Sequence, residues 1–188
     1  MSEAAPDPAS LERFREYLAL LARLHLHPRL RSKLGASDIV QQTMMKAAQN
    51  LCQFRGSTEA EWAGWLRRIL TNTLVDAVRH FNGPEHDVAL ERSVEASLTE
   101  SSARLEALLQ GSPNSPSDQV LKNEQMLRLA TALAQLPEDQ RLVLEMHYLQ
   151  GCTVAEVAAH MTRTERSVAG LVRRGLQRLR ELLADERD

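Results

Sequence analysis

The chain has 188 residues, 43% of them hydrophobic and 26% charged, with a formal net charge of −2, the profile of an ordinary globular protein with room for one good core or two small ones. Cys52 and Cys152 each stand alone without a second cysteine at ligand or redox spacing, so neither a zinc site nor a disulfide framework is supported and both are expected to be small buried residues. The start, MSEAAPDPASLERF, lacks the basic and apolar regions of a signal peptide, and no apolar run approaches the roughly 18 residues of a membrane span, so a reducing cytoplasm is the expected location.

No sustained alternation of apolar and polar residues occurs, and Val and Ile fall into patterns of period 3.6, so the expected class is all-α. Leu11, Phe14, Leu18, Leu21 and His25 recur at helical spacing until Pro28 closes the run. A second helix begins near Ser37, carries Val40, Met44, Ala47 and Leu51 on one side, and is broken by Phe54-Arg55-Gly56-Ser57. Thr58 and Glu61 have capping-box spacing, and Trp62, Trp65, Leu66, Ile69, Thr73 and Ala77 follow, predicting a third helix to about His80 that Asn82-Gly83-Pro84 ends.

Aromatics make up only 4% of the chain, yet three of the seven lie between Phe54 and Trp65. The wheel assigns Arg68, Asn72 and Arg79 to one face of the third helix and the tryptophans to another, so a cationic, amide-bearing surface borders an aromatic loop, as single-strand binding requires. Asn72 offers a base edge both a donor and an acceptor. Against this, Trp65 reads more readily as core than as a stacking platform, and Trp62 is evenly balanced.

Charge then divides the chain. Residues 1–82 hold 11 basic and 8 acidic side chains, residues 83–118 hold 2 and 7, and residues 119–188 hold 10 of each. The acidic, Ser-rich middle ends in GSPNSPSD and is expected to be a mobile linker, with helix inside 88–109 left open. Beyond it, Val120 to Gln135 has helical spacing, Pro137 suits the first position of the next helix, and Gly151 suits its end.

Thr153 and Glu156 make a second capping-box pair ahead of a helix to about Met161, and Thr162 or Thr164 suits the cap of another to about Leu183. In the helix-turn-helix pattern Ala158, Thr162 and Val168 occupy the small, corner and β-branched places; Thr162 is the misfit, and its corner must avoid positive φ or hold strain. Val168, Leu171, Val172, Gly175, Leu176, Leu179 and Leu183 form an apolar stripe on the last helix, opposite Arg166, Gly170, Arg173 and Gln177. Six arginines against Glu165 between Arg163 and Arg180 make this face locally basic, as groove entry requires. Gly170 costs about 1 kcal/mol against alanine inside a helix, so a close approach there is expected in compensation.

SDIVQQTMMKAAQNLCQFRG followed by WLRRILTNTLVDAVRHF resembles region 2 of the bacterial sigma-70 family of RNA polymerase sigma factors, in its extracytoplasmic-function (ECF) branch, and LPEDQRLVLEMHYLQGCTVAEVAAHMTRTERSVAGLVRRGLQRLRELL is similar to region 4. The resemblance covers well over half the chain in the family's order. It implies two small helical domains, a region 2 bundle over 1–82 and a region 4 helix-turn-helix over 119–188, joined by a flexible acidic linker over 83–118. It also implies a dissociable, non-enzymatic subunit that binds core RNA polymerase, recognises −10 and −35 promoter elements and promotes initiation.

Asp38-Ile39-Val40-Gln41-Gln42 matches the family's Asp-Leu-Val-Gln-Glu signature on the helix that docks on the polymerase clamp, which makes Asp38, Ile39, Gln41, Gln42 and Met45 the polymerase-binding candidates, with Gln42 standing where an acid is usual. Phe54, Arg55, Ser57, Trp62, Arg68, Asn72 and Arg79 fall on the segment that captures an unstacked base of the −10 element, and a longer loop from Ser57 to Gly64 keeps base preference from carrying over. Thr164, Arg166, Ser167, Ala169, Gly170, Arg173 and Arg174 occupy the −35-facing stretch of the reader helix. The implied partners are core polymerase through its clamp and flap regions, promoter DNA and an anti-sigma factor; no cofactor, metal or membrane span is implied.

Two other readings stay open: an autonomous helix-turn-helix repressor, for which no dimer seam is evident, and a helical adaptor that sequesters a partner without touching DNA. No nucleophile, base and orienting group recur at usable spacing, so no enzyme is expected. Net charges of +3 and zero on the two blocks promise little phosphate neutralisation, which leaves most of the affinity to the polymerase.

Overall fold

The computed structural model describes residues 8–26, 34–82, 92–94, 96–101, 103–104 and 116–185, and among them all regular structure is helical. The all-α class expected from periodicity is the class observed. The first expected helix is two pieces, α1 (Pro8–Glu12) and α2 (Arg15–His25), joined at a turn where Phe14 N–H donates to Leu11 O at 3.0 Å.

Helix α3 (Ala36–Gln49) starts where the Asp38 carboxylate accepts the Gly35 N–H at 2.8 Å, and α4 (Glu59–Asn82) starts at the Thr58–Glu61 capping box. A short 3₁₀ turn, Leu51–Gln53, joins them to the FRGS loop. Helices α2, α3 and α4 pack pairwise around Leu18, Leu21, Ile39, Leu66 and Leu70, all fully buried. Buried Thr43 and Thr73 satisfy their hydroxyls on the carbonyls of Ile39 and Ile69, at 2.7 and 2.8 Å, so they cost the core no orphaned polar atom.

The C-terminal block holds α5 (Pro116–Ala134), α6 (Glu138–Leu144), a five-residue π-helical turn (Glu145–Leu149), α7 (Val154–Met161) and α8 (Glu165–Asp185). Helix α5 begins before the expected Val120 because Pro116, read in the sequence as part of a breaker string, sits at the first helical position, where a missing N–H is harmless. Pro137 precedes α6 as its cap instead of opening it. Gly151 ends the π turn at φ +75, where Cys152 N–H donates to Met146 O at 2.9 Å, the capping role expected of it.

Two expectations, the burial of Cys52 and of Cys152, need correction. Cys52 is exposed, because it lies on the short 3₁₀ turn and not on the buried face of α3; Cys152 is half-buried. Residues 92–94, 96–101 and 103–104 are helical, which answers what the sequence left open over 88–109, and Leu98 among them is buried against the core. The other residues between 83 and 115 lie outside the described part of the chain.

The two blocks share one continuous core, since α5 packs on α2 and α4 as well as on α8. An ion pair crosses between them: Arg23 Nη2 lies 2.8 Å from Glu145 Oε1, the side chains only 22% and 6% exposed. No helix among the described residues is long and apolar enough to cross a membrane.

Candidate nucleic-acid interface

Helices α3 and α4 enclose an open cleft of about 640 Å³ lined by Lys46, Asn50, Gln53, Trp65, Arg68, Ile69, Asn72, Val75, Asp76 and Arg79. Three cations against Asp76 leave it net positive. Asp76 fixes two of them, holding Lys46 Nζ at 2.8 Å and standing 4.0 Å from Arg79 Nη1, while Asn50 Oδ1 accepts from Gln53 Nε2 at 3.0 Å. Arg68 and Asn72 are exposed within it. A cleft with a half-buried indole, amides and fixed cations suits a stacked base and its phosphates.

Trp65 belongs to this cleft, which corrects the wheel assignment that set the tryptophans apart from Asn72. Seven residues are close to two full helical turns, so Trp65 and Asn72 share a face. Trp62 points elsewhere, its ring 4.0 Å from Phe54 and 6.4 Å from Phe14 between centroids. Phe54 is 9% exposed and also packs on Trp65 at 5.1 Å, so it supports the tryptophans from beneath.

Gly56 makes that support possible: a Cβ there would lie 2.5 Å from Phe54 Cζ and 2.7 Å from Glu61 Cβ, closer than atoms allow. The Glu61 carboxylate accepts the N–H groups of Ser57 and Thr58, and these bonds hold its pKa below the usual range. Arg55 and Ser57 are exposed on this loop and do not line the cleft. Sequence reading missed Lys46, Asn50 and Gln53, although their i, i+4, i+7 spacing is a polar stripe that could have been found; Asp76 pairs across 30 residues and left no local signal.

The second surface is the α7–α8 corner. Thr153 Oγ1 accepts from Glu156 N–H at 3.2 Å while Glu156 takes the Thr153 N–H at 2.7 Å, which holds the Glu156 pKa low. Thr162 adopts the left-handed conformation, φ 54 and ψ 44, so the corner holds strain instead of avoiding it; Arg163 N–H closes it on Ala158 O at 3.0 Å. Thr164, not Thr162, caps α8, its hydroxyl accepting the Ser167 N–H at 3.2 Å.

Val168, Leu171 and Gly175 are buried and the remaining stripe residues half-buried, which anchors α8 by its apolar back. Thr164, Arg166, Ala169, Arg173 and Arg174 are exposed in front, with Ser167 and Gly170 half-exposed. Arg163 pairs with Asp139 and Arg178 with Glu181, whereas among the described residues no carboxylate pairs with Arg166, Arg173 or Arg174. On α8 the glycine packed against another helix is Gly175, where a Cβ would meet Leu144 Cδ1 at 3.2 Å; at Gly170 the described residues bring only the far end of the Arg174 side chain near, at 3.3 Å.

On α3, Asp38, Gln41, Gln42 and Met45 are exposed, and Met45, 55% exposed, is the large hydrophobic that the described surface leaves uncovered. Ile39 is fully buried, a core residue that orients its neighbours and is out of a partner's reach.

Against known proteins, the family model described as sigma-70 region 2 matches residues 13–82, and the one described as sigma-70, region 4 matches residues 126–179. The chain is 29% identical over 98% of its length, and 96% of the relative's, to the ECF RNA polymerase sigma factor SigL of Mycobacterium tuberculosis. It is 29% identical over 78% of its length to the ECF RNA polymerase sigma-E factor of Escherichia coli, covering 70% of that protein. With the ECF RNA polymerase sigma factor BldN of Streptomyces coelicolor the match is 25% identical over 86% of this chain and spans 56% of the relative. With both regions in order on one helical chain, the protein belongs to the sigma-70 family, in its extracytoplasmic-function branch.

Proposed function

We propose that this chain directs RNA polymerase to promoters, with the α3–α4 cleft taking an unstacked base of the −10 element and the exposed front of α8 reading the −35 element. One observation carries the reading: a cationic, indole-lined cleft and a helix-turn-helix whose exposed Arg166, Arg173 and Arg174 pair with no carboxylate among the described residues occur on the same small chain. Arg68 and Asn72 contact the melted strand, with Arg79 and Lys46 on its phosphates. Arg166, near the start of α8, suits bidentate pairing with guanine, and Arg173 and Arg174 suit phosphate. Asp38, Gln41, Gln42 and Met45 form the polymerase-facing patch on the clamp, with region 4 on the flap. The chain works in the cytoplasm as a non-catalytic subunit, and an anti-sigma factor is a natural restraint on it.

Transcription with purified core polymerase on genomic fragments, with and without the chain, tests this by mapping start sites. Promoter-specific starts should appear only with the chain; Arg166→Ala should cost about 1–3 kcal/mol of upstream recognition, roughly 5- to 150-fold, and Arg173→Ala should weaken upstream binding about equally across sequences. Full activity in both variants would remove the reader face from the mechanism.

A further inference from the structure

Asp76 is the one acid among the described residues that line the α3–α4 cleft. It lies on α4 one turn after Asn72 and one turn before Arg79, in the middle of the face that the cleft uses. Its Oδ2 accepts from Lys46 Nζ at 2.8 Å, reaching across from the last turn of α3, and its Oδ1 stands 4.0 Å from Arg79 Nη1. The backbone of Lys46 is tied as well, since its carbonyl accepts Asn50 Nδ2 at 2.8 Å. Both side chains of the pair are open to solvent, Lys46 37% and Asp76 56% exposed, and an exposed ion pair contributes little stability. Holding α3 to α4 does not account for it, because the two helices already share the buried core of Ile39, Leu66 and Leu70.

A carboxylate inside an anion-binding cleft weakens the cleft by its charge, so what it supplies is placement. A lysine is a compact charge on a flexible four-carbon stem and samples many rotamers when nothing holds it. Its ammonium carries three N–H donors. Asp76 engages one, which leaves two for a phosphate oxygen at a single place in the cleft.

We infer that Asp76 is the positioning residue of the cleft: it holds Lys46 where a phosphate of the melted strand lies when its base is seated beside Trp65 and Asn72, and its charge lowers the grip on strands that seat no base. The inference rests on the promoter-directing reading for which strand is favoured, while its physical content is a cation tethered by the carboxylate that opposes it. Lys46, Arg68 and Arg79 against Asp76 give the cleft a net charge of +2, and Asp76→Asn makes it +3. At about −0.7 per phosphate neutralised on a single strand, the slope of log affinity against log salt should steepen from about −1.4 to about −2.1. With the gain vanishing near 1 M salt, that is about eightfold tighter binding at 50 mM and about threefold at 200 mM.

The test has two arms. Fluorescence anisotropy follows labelled oligothymidine binding to the full chain across 50–200 mM salt. With the chain bound to core polymerase, the same method gives the ratio of affinities for the melted strand of a mapped promoter and for that strand scrambled. Asp76→Asn should tighten oligothymidine binding as above, whereas Lys46→Gln, which breaks the same pair from the other side, should weaken it, and Asp76→Glu, which keeps the charge, should stay near wild type. For the promoter strand, lost placement offsets the charge gained in Asp76→Asn, so the ratio should fall about three- to eightfold. Oligothymidine binding that moves in the same direction in Asp76→Asn and Lys46→Gln, as a simple staple between helices would give, overturns the assignment. An unchanged ratio also overturns it, since Asp76 would then supply charge without placement. A wild-type ratio of one, with the two variants still moving oligothymidine binding in opposite directions, overturns the promoter-directing reading and leaves the tethered cation standing.

Discussion

His25 shows how one residue couples burial to pH. It lies at the end of α2 against the cavity shared by Ser97, Glu100, Arg104 and Gln150, and its Nε2 is buried without a hydrogen-bond partner among the described residues. Burial lowers its pKa from 6.5 to about 4. Glu100 does not rescue the charged form, because it is already engaged with Arg104 at 2.7 Å. Unfolded, the ring takes its proton near pH 6.5; folded, it resists until about pH 4, so the folded state binds fewer protons across that window. Stability is therefore intact above pH 6.5 and falls as pH drops toward 4, by up to about 3 kcal/mol. Glu61 and Glu156, with pKa values held below 4.5, lose their contributions only at lower pH. Urea unfolding between pH 7 and 4.5 should show this slope, and His25→Gln should flatten it; an equal slope in the variant would assign the proton uptake to another group.

At the scale of elements, the cleft divides its residues into those that hold the fold and those free for chemistry. Asn72 is exposed on α4, so Asn72→Ala should change stability by less than about 0.5 kcal/mol. If it contacts a base in the melted strand, the same variant should bind core normally yet form open complexes about tenfold less well, read by permanganate reactivity of unpaired thymines; lost core binding would give Asn72 a different job. The helices themselves were legible because their signals are local: both capping boxes, the period of α4 and the apolar stripe of α8 are each written within a few turns of chain. The cleft was half legible. Arg68, Asn72 and Arg79 share α4 and could be grouped from spacing, and so could Trp65, which lies only about 20° from Asn72 at 100° per residue, but Lys46 and Asp76 meet only through packing of α3 on α4. Thr162 posed a choice between avoidance and strain that only backbone geometry could decide.

For the whole molecule, the packing of α5 against both blocks was not legible, because its apolar residues must serve α2, α4 and α8 together and no local pattern says how a face is shared. Charge was legible throughout, and it bounds what the chain does alone. Of the six arginines between Arg163 and Arg180, two are committed to carboxylates, which leaves Arg166, Arg173, Arg174 and Arg180 for phosphate or base. If all four met phosphate, the slope of log affinity against log salt would be only about −3.6, a loss of roughly 150-fold between 50 and 200 mM. Specific binders at the nanomolar level add a wide contact surface to such a term. The exposed front of α8 is a few residues wide, so free chain should bind promoter duplex no tighter than about the micromolar level at physiological salt. Adding core polymerase should deepen both affinity and salt slope, since the polymerase contributes its own phosphate contacts. Fluorescence anisotropy with a labelled promoter fragment across 50–200 mM salt measures both quantities; nanomolar binding by the chain alone would mean that it is an independent reader of duplex DNA, and that core polymerase is not where its affinity comes from.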